Sequence, residues 1–158
     1  MRKIDIERKE IFSLLTSKQI DELSEVAVVK DFEPGQIVYD RKEKAGNLFI
    51  LLEGEVSLRI PSNRDTKIEE FSLEIDRVIN HGELFGPNQL FGVSRYMTRA
   101  KVVKPSRIMT LGGQEFLNII RENKSEFVIM TYMAKVYFQR YINAMKEFEE
   151  CILQKSPV

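Results

Sequence analysis

The chain has 158 residues with 24 Lys and Arg, 24 Asp and Glu, one His, one Cys and no Trp. That length suits one domain, since domains cluster near ~100–150 residues, and the ordinary apolar fraction of 43% excludes a disordered chain. Zero formal net charge argues against a free-standing nucleic-acid binder, which draws its affinity from a basic excess. One Cys and one His exclude a disulfide framework and any ordinary zinc site, so no metal is expected. No apolar run reaches ~18 residues, and MRKIDIERKE has no apolar signal core, so a cytoplasmic chain without a membrane span is the expectation.

In chain order, Ile11, Leu14 and Leu15 suggest a first helical turn. Thr16-Ser17-Lys18-Gln19 has the form of a capping box and opens a short helix with Ile20, Leu23 and Val26 on one face. From Val26 to residue 111 the period shortens. Val26, Val28 and Phe32 read as a strand, Pro34-Gly35 as a turn and Ile37-Val38-Tyr39 as a short strand. Asn47 to Leu52 is a buried strand, and Gly54-Glu55 reads as a tight turn into alternating Val56, Leu58 and Ile60. Pro61 to Thr66 forms a polar loop, followed by the alternation of Phe71, Leu73 and Ile75. Met97 to Val103 and Arg107 to Leu111 supply the last strands, broken at Pro105. The spacing implies a small antiparallel barrel or sandwich.

After Gly112-Gly113 the pattern turns helical, with Phe116, Leu117 and Ile120 on one face. Ser125 opens a long helix without Gly or Pro until Pro157. Within it Met130, Tyr137, Ala144 and Cys151 recur every seven residues, and Ala134, Tyr141 and Phe148 follow four residues after the first three. This a/d stripe predicts a dimer seam and hence a homodimer. Ile129, Tyr132, Met133 and Val136 form a second apolar face for the barrel.

Three stretches in this order resemble the cyclic-nucleotide-binding domain of CRP/FNR-type regulators: Phe32 to Tyr39, Ala45 to Val56, and Gly82-Glu83-Leu84-Phe85-Gly86. The resemblance covers roughly residues 10 to 150. It implies a mainly β fold with flanking helices: a double-stranded β-helix, or jelly roll, followed by a long C-terminal helix. Residues 1–124 would form the roll with its N-terminal helices, and residues 125–158 the dimerisation helix and tail of the same domain. Lys42 departs from the pattern, because the family usually has a turn glycine there, before an acidic residue that is here Glu43.

The family's phosphate-binding cassette carries a Glu for the sugar hydroxyl and, about nine residues on, an Arg for the cyclic phosphate. The gapless register puts Pro87 and Tyr96 at these places. It also sets Leu90 and Phe91 on the family's apolar pair, Val102 on its small residue and the last strand on Ile108–Leu111. A proline accepts no hydrogen bond through its side chain, and a phenol replaces a charged fork with one neutral group. Arg95 could enter the cassette by a one-residue slip. Glu83 could stand in for the missing Glu, but that register leaves three residues too many before Arg95.

The implied ligand region is therefore Gly86, Pro87, Asn88, Gln89, Arg95 and Tyr96 from the cassette, with Arg140 and Tyr141 from the long helix. Arg99 flanks the cassette, and His81 lies in the turn before it. No cofactor is expected beyond a cyclic nucleotide or another small effector. No nucleophile–base pair stands out, so no catalytic residue is expected and the chain reads as a non-enzyme. Three functions follow from the resemblance: a ligand-sensing regulatory module with a degenerate site, a working cAMP or cGMP receptor with an altered cassette, or a dimerising scaffold whose pocket is filled by its own side chains. Only Ile152 to Val158 follow the last seam residue, too few for a DNA-reading domain of at least ~50 residues, so no nucleic-acid contact is expected through this chain alone.

Overall fold

The run Asn47-Leu-Phe-Ile-Leu-Leu52 has no polar alternation because its strand is covered on both faces. Leu48 and Ile50 point to one cluster with the helices, while Phe49 and Leu51 point into a second cluster inside the roll. In the computed structural model the described residues are 11–61, 72–122 and 125–155. The N-terminal ten residues, the expected loop over 62–66, Phe71 and Pro157 lie outside them. A 3-10 turn (Ile11–Leu14) precedes α1 (Ser17–Val26). The strands are β1 (Val28–Phe32), β2 (Ile37–Tyr39), β3 (Asn47–Pro61), β4 (Ser72–Val78), β5 (Leu84–Phe85) and β6 (Arg99–Gly112). A second 3-10 turn (Asn88–Phe91) separates β5 from β6, and α2 (Gly113–Arg121) and α3 (Ser125–Lys155) follow.

All strand pairs are antiparallel, in the order β1-β6-β3-β4, with β2 added to β6 and β5 to β3. This is the mainly β roll with flanking helices and a long C-terminal helix that the sequence led us to expect.

Four local expectations change. The capping box is present: Thr16 Oγ1 accepts from the Gln19 N–H at 3.1 Å, and Gln19 Oε1 accepts from the Thr16 N–H at 2.9 Å. Yet the inward face of α1 is Gln19 and Leu23, while Val26 is 41% exposed and belongs to the helix rather than to a strand. Gln19 turns inward because its Nε2 donates to the carbonyls of Ile119 and Glu122, both at 3.1 Å, and so closes the end of α2. Gly54-Glu55 is no hairpin turn, for β3 runs straight through it. Gly54 has φ +110°, and a Cβ there would collide with Ser106 of β6. The β3–β6 register shifts on both sides of it. Pro105 does not break β6, because the β3–β6 register skips from Glu53–Arg107 to Glu55–Lys104, where a missing N–H costs no ladder bond.

The fourth concerns α3. Ile129, Tyr132, Met133 and Val136 pack on the core as expected, and the same face continues through Gln139, Arg140 and Asn143. Met130 and Tyr137, expected at the seam, pack against the helical cluster, and Ala144 packs against the roll interior. Ala134, Tyr141 and Phe148 remain exposed, and Cys151 is half-buried. One residue is a rotation of about 100° on a helix, so the exposed apolar stripe takes Phe138, Met145 and Ile152 in place of Tyr137, Ala144 and Cys151.

Candidate functional site

The cassette begins at Gly86, which has φ +70° and holds the chain against two rings. A Cβ there would lie 3.0 Å from both Phe49 and Tyr39. Pro87 is buried and opens the 3-10 turn without any side-chain cap bond. Asn88 Nδ2 donates to the Arg95 carbonyl at 3.0 Å. Gln89 is exposed, with its Oε1 over Gly113, and faces away from the roll interior.

Tyr96 fills the place where the family's arginine is expected. It is 4% exposed, and its hydroxyl donates to the Asn47 carbonyl at 2.7 Å and accepts from the Asn47 N–H at 3.3 Å. Its ring stacks on Tyr39 with centroids 4.1 Å apart, and Tyr39 stacks in turn on Phe49 at 5.3 Å. Burial pushes the phenols of Tyr96 and Tyr39 above the ordinary tyrosine range. The Tyr96 group is thus neutral, satisfied by backbone and locked by aromatic packing. Beside it, Lys42 donates its N–H to the Tyr96 carbonyl at 2.9 Å and holds φ +74°, the left-handed conformation that the expected glycine would take at little cost.

Neither restoring group enters the site. Arg95 is exposed, and its Nη1 donates to the Lys42 carbonyl at 3.1 Å. Glu83 is buried, but its Oε1 accepts from the N–H groups of Ile79 and Asn80 and from Asn80 Nδ2, at 3.2, 2.9 and 2.7 Å. Its carboxylate closes the turn before β5. Arg99 forks onto Asp40 at 2.9 and 3.2 Å, and His81 Nδ1 lies 2.8 Å from the Leu52 carbonyl, so both serve the fold.

Between the roll and α3 lies a cavity of about 370 Å³. Tyr39, Leu58 and Ile75 form its strand wall, Asn88, Phe91, Val93, Met97 and Thr98 its cassette rim, and Ala134, Tyr137, Arg140, Tyr141 and Ala144 its helix wall. Of the residues expected at the ligand, Asn88, Arg140 and Tyr141 meet here, whereas Gly86, Pro87, Gln89, Arg95 and Tyr96 do not line it.

Arg140 belongs to the helix wall and is 3% exposed. Its Nε donates to Asp76 Oδ2 at 3.0 Å and its Nη2 to the Leu84 carbonyl at 3.1 Å. Its guanidinium stands 5.0 Å from the centroid of the Tyr137 ring. The Tyr137 phenol lies within hydrogen-bonding reach of the guanidinium and of the Gly86 backbone, and Arg140 Nη1 is buried beside it. Desolvation alone would lower the Arg140 pKa, but Tyr137 and Asp76 outweigh it and the guanidinium is held above its ordinary value. At neutral pH the Tyr137 phenol, pushed up by burial, is un-ionised, which leaves Asp76 as the counter-charge. Asp76 is the residue that sequence reasoning missed. It lies two residues before the buried Val78, so strand parity places it on the same face of β4.

Among the described residues no His, Cys, Asp and Glu group is placed to hold a metal ion, and no helix is long and apolar enough to cross a membrane. Residues 29–123 match the family described as the cyclic nucleotide-binding domain, and the chain belongs to that family. A curated relative, a cGMP-dependent protein kinase of Toxoplasma gondii, is 26% identical over 151 residues; the match covers 87% of this chain and 15% of the kinase. A putative cyclic nucleotide-binding protein from Geobacter metallireducens aligns with a TM-score of 0.65 at 24% identity over 87% of this chain and 99% of that one. The sensor domain of the transcriptional regulator DNR from Pseudomonas aeruginosa aligns at 0.68 and 18% identity, over 84% and 86% of the two chains. These solved structures share the fold.

Proposed function

We propose that this chain is a sensing module of a regulatory protein, that it takes a small effector in the cavity between the roll and α3, and that it does not hold a cyclic nucleotide through the family's usual contacts. The observation that carries the reading is how Tyr96, which the gapless register sets at the phosphate place, spends its hydroxyl on Asn47 and packs its ring on Tyr39. Pro87 offers nothing to a ribose. Two lost charge-assisted bonds at about 1.5–3 kcal/mol each weaken binding by roughly two to four powers of ten. Titration of cAMP and cGMP into the purified chain should therefore show no dissociation constant below about 100 µM, and a tighter constant would overturn the reading.

The scaffold reading draws support from Tyr96 as a plug, but the cavity beside it favours an effector. The exposed α3 stripe supports a homodimer. Phe138, Tyr141, Met145, Phe148 and Ile152 recur at alternating spacings of three and four and are each more than half exposed. A second copy of α3 laid on this stripe would also cover Tyr141 at the cavity mouth. Sedimentation should show a dimer that Met145→Glu converts to monomer; a wild-type monomer of 18.4 kDa at high concentration would refute the pairing.

A further inference from the structure

We infer that a second copy of this chain lies on α3 in the opposite direction, so that the C-terminal half of each helix borders the other chain's cavity; the inference rests on the homodimer reading above. The exposed stripe Ala134, Phe138, Tyr141, Met145, Phe148 and Ile152 faces away from the side of α3 on which Met133, Val136 and Arg140 are buried. The stripe is symmetric about Asn143, which stands midway between Ala134 and Ile152, between Phe138 and Phe148, and between Tyr141 and Met145. An antiparallel twofold through that point lays the whole stripe on its own copy: Ala134 meets Ile152, Phe138 meets Phe148 and Tyr141 meets Met145.

Size and charge set the direction. A parallel pair would cover the exposed Phe127 as well, but it would stack each residue on itself. Ala134 would then face Ala134 and leave a void beside the bulky Phe138 layer. Head to tail, the smallest residue of the stripe meets a branched one. Lys135 and Glu149 each follow a stripe residue and so lie on one flank of it. Both are exposed, and among the described residues neither has a counter-charge. In antiparallel order each Lys135 comes beside Glu149 of the other copy, twice per dimer, whereas parallel order would put the two beside Met130 and Ala144. Such surface pairs add little strength and act by choosing the orientation. Ala134 and Tyr141 belong to the cavity wall. Ile152 and Met145 of the second copy therefore join its mouth, and each cavity is finished by the other chain.

The test is disulfide trapping in the full chain with Cys151→Ser, so that only introduced cysteines react. Ala134→Cys and Ile152→Cys are placed in separate chains, which are oxidised alone and mixed. The mixture should form a covalent dimer at least tenfold faster than either chain alone, because the twofold sets position 134 about 27 Å along the helix from its own copy, far beyond disulfide reach. Lys135→Glu and Glu149→Lys should each weaken the dimer about fivefold in sedimentation and together restore it. Fast trapping of either single variant with itself would overturn the antiparallel order and leave the homodimer standing. A sedimenting dimer that traps in neither arrangement, or a charge-swapped double variant as weak as the single ones, would overturn the register. A monomer throughout would bring down the inference and the homodimer reading together.

Discussion

The cassette wall and the helix wall of the ligand region have traded roles. On the cassette side three candidate groups are satisfied by the chain itself: Tyr96 by Asn47, Asn88 by Arg95, Arg95 by Lys42. On the helix wall a buried cation from α3 is paired with Asp76 and stands against the Tyr137 ring. A position expected to carry charge has become neutral packing, while the charge near the cavity comes from an element 44 residues later, at Arg140, and is cancelled by Asp76.

The contrast is broken most severely at the helix wall. Arg140→Met removes the buried counter-charge of Asp76 and should cost about 3–5 kcal/mol in urea unfolding, whereas Asp76→Leu combined with Arg140→Met should recover most of that loss. A single variant as stable as wild type would mean that the pair is not buried as described.

High pH attacks the buried tyrosines in and beside the cavity. Tyr39, Tyr96 and Tyr137 have pKa values raised by burial, so the folded chain favours the neutral phenol. Their contribution is complete below the unfolded value near ~10 and is lost as pH rises through the folded values, by up to about 1.4 kcal/mol per tyrosine per pH unit. Unfolding free energies between pH 8 and 11, followed with absorbance of the phenolate, should fall steeply above pH ~10. A flat profile would place these phenols in water.

Tyr96→Phe touches the cassette wall alone. It leaves the Asn47 carbonyl and N–H without the phenol and should cost about 1 kcal/mol by thermal unfolding. At the small end, Lys42→Gly relieves a left-handed residue next to Tyr96 and should raise stability by up to ~1 kcal/mol, the strain removed being offset by glycine's greater freedom when unfolded. A loss would show that the Lys42 side chain contributes more than its backbone strain costs.

Much of this was legible before the structure. Both faces of Asn47 to Leu52 are apolar in the sequence itself, and the Thr16–Gln19 box is a local pattern. What failed depended on distant chain. Gly54 looked like a turn because its partner Ser106 is 52 positions away, and the open conformation serves a close strand approach. The α3 stripe was displaced because sequence shows two apolar faces without showing where the roll ends. Gln139, Arg140 and Asn143 continue the buried face, and that continuation turns Tyr137 toward the core and Phe138 to the outside. The Arg140–Asp76 pair leaves no local mark in the sequence, because its two members stand 64 residues apart.

The claim that Tyr96 closes the phosphate place is tested most directly by titrating cAMP into the wild-type chain and into the Pro87→Glu, Tyr96→Arg double variant side by side. Wild-type binding should be weaker than about 100 µM, and the double variant should gain at least tenfold, a change of about 1.4 kcal/mol. Micromolar binding by the wild type, undiminished relative to the double variant, would contradict it.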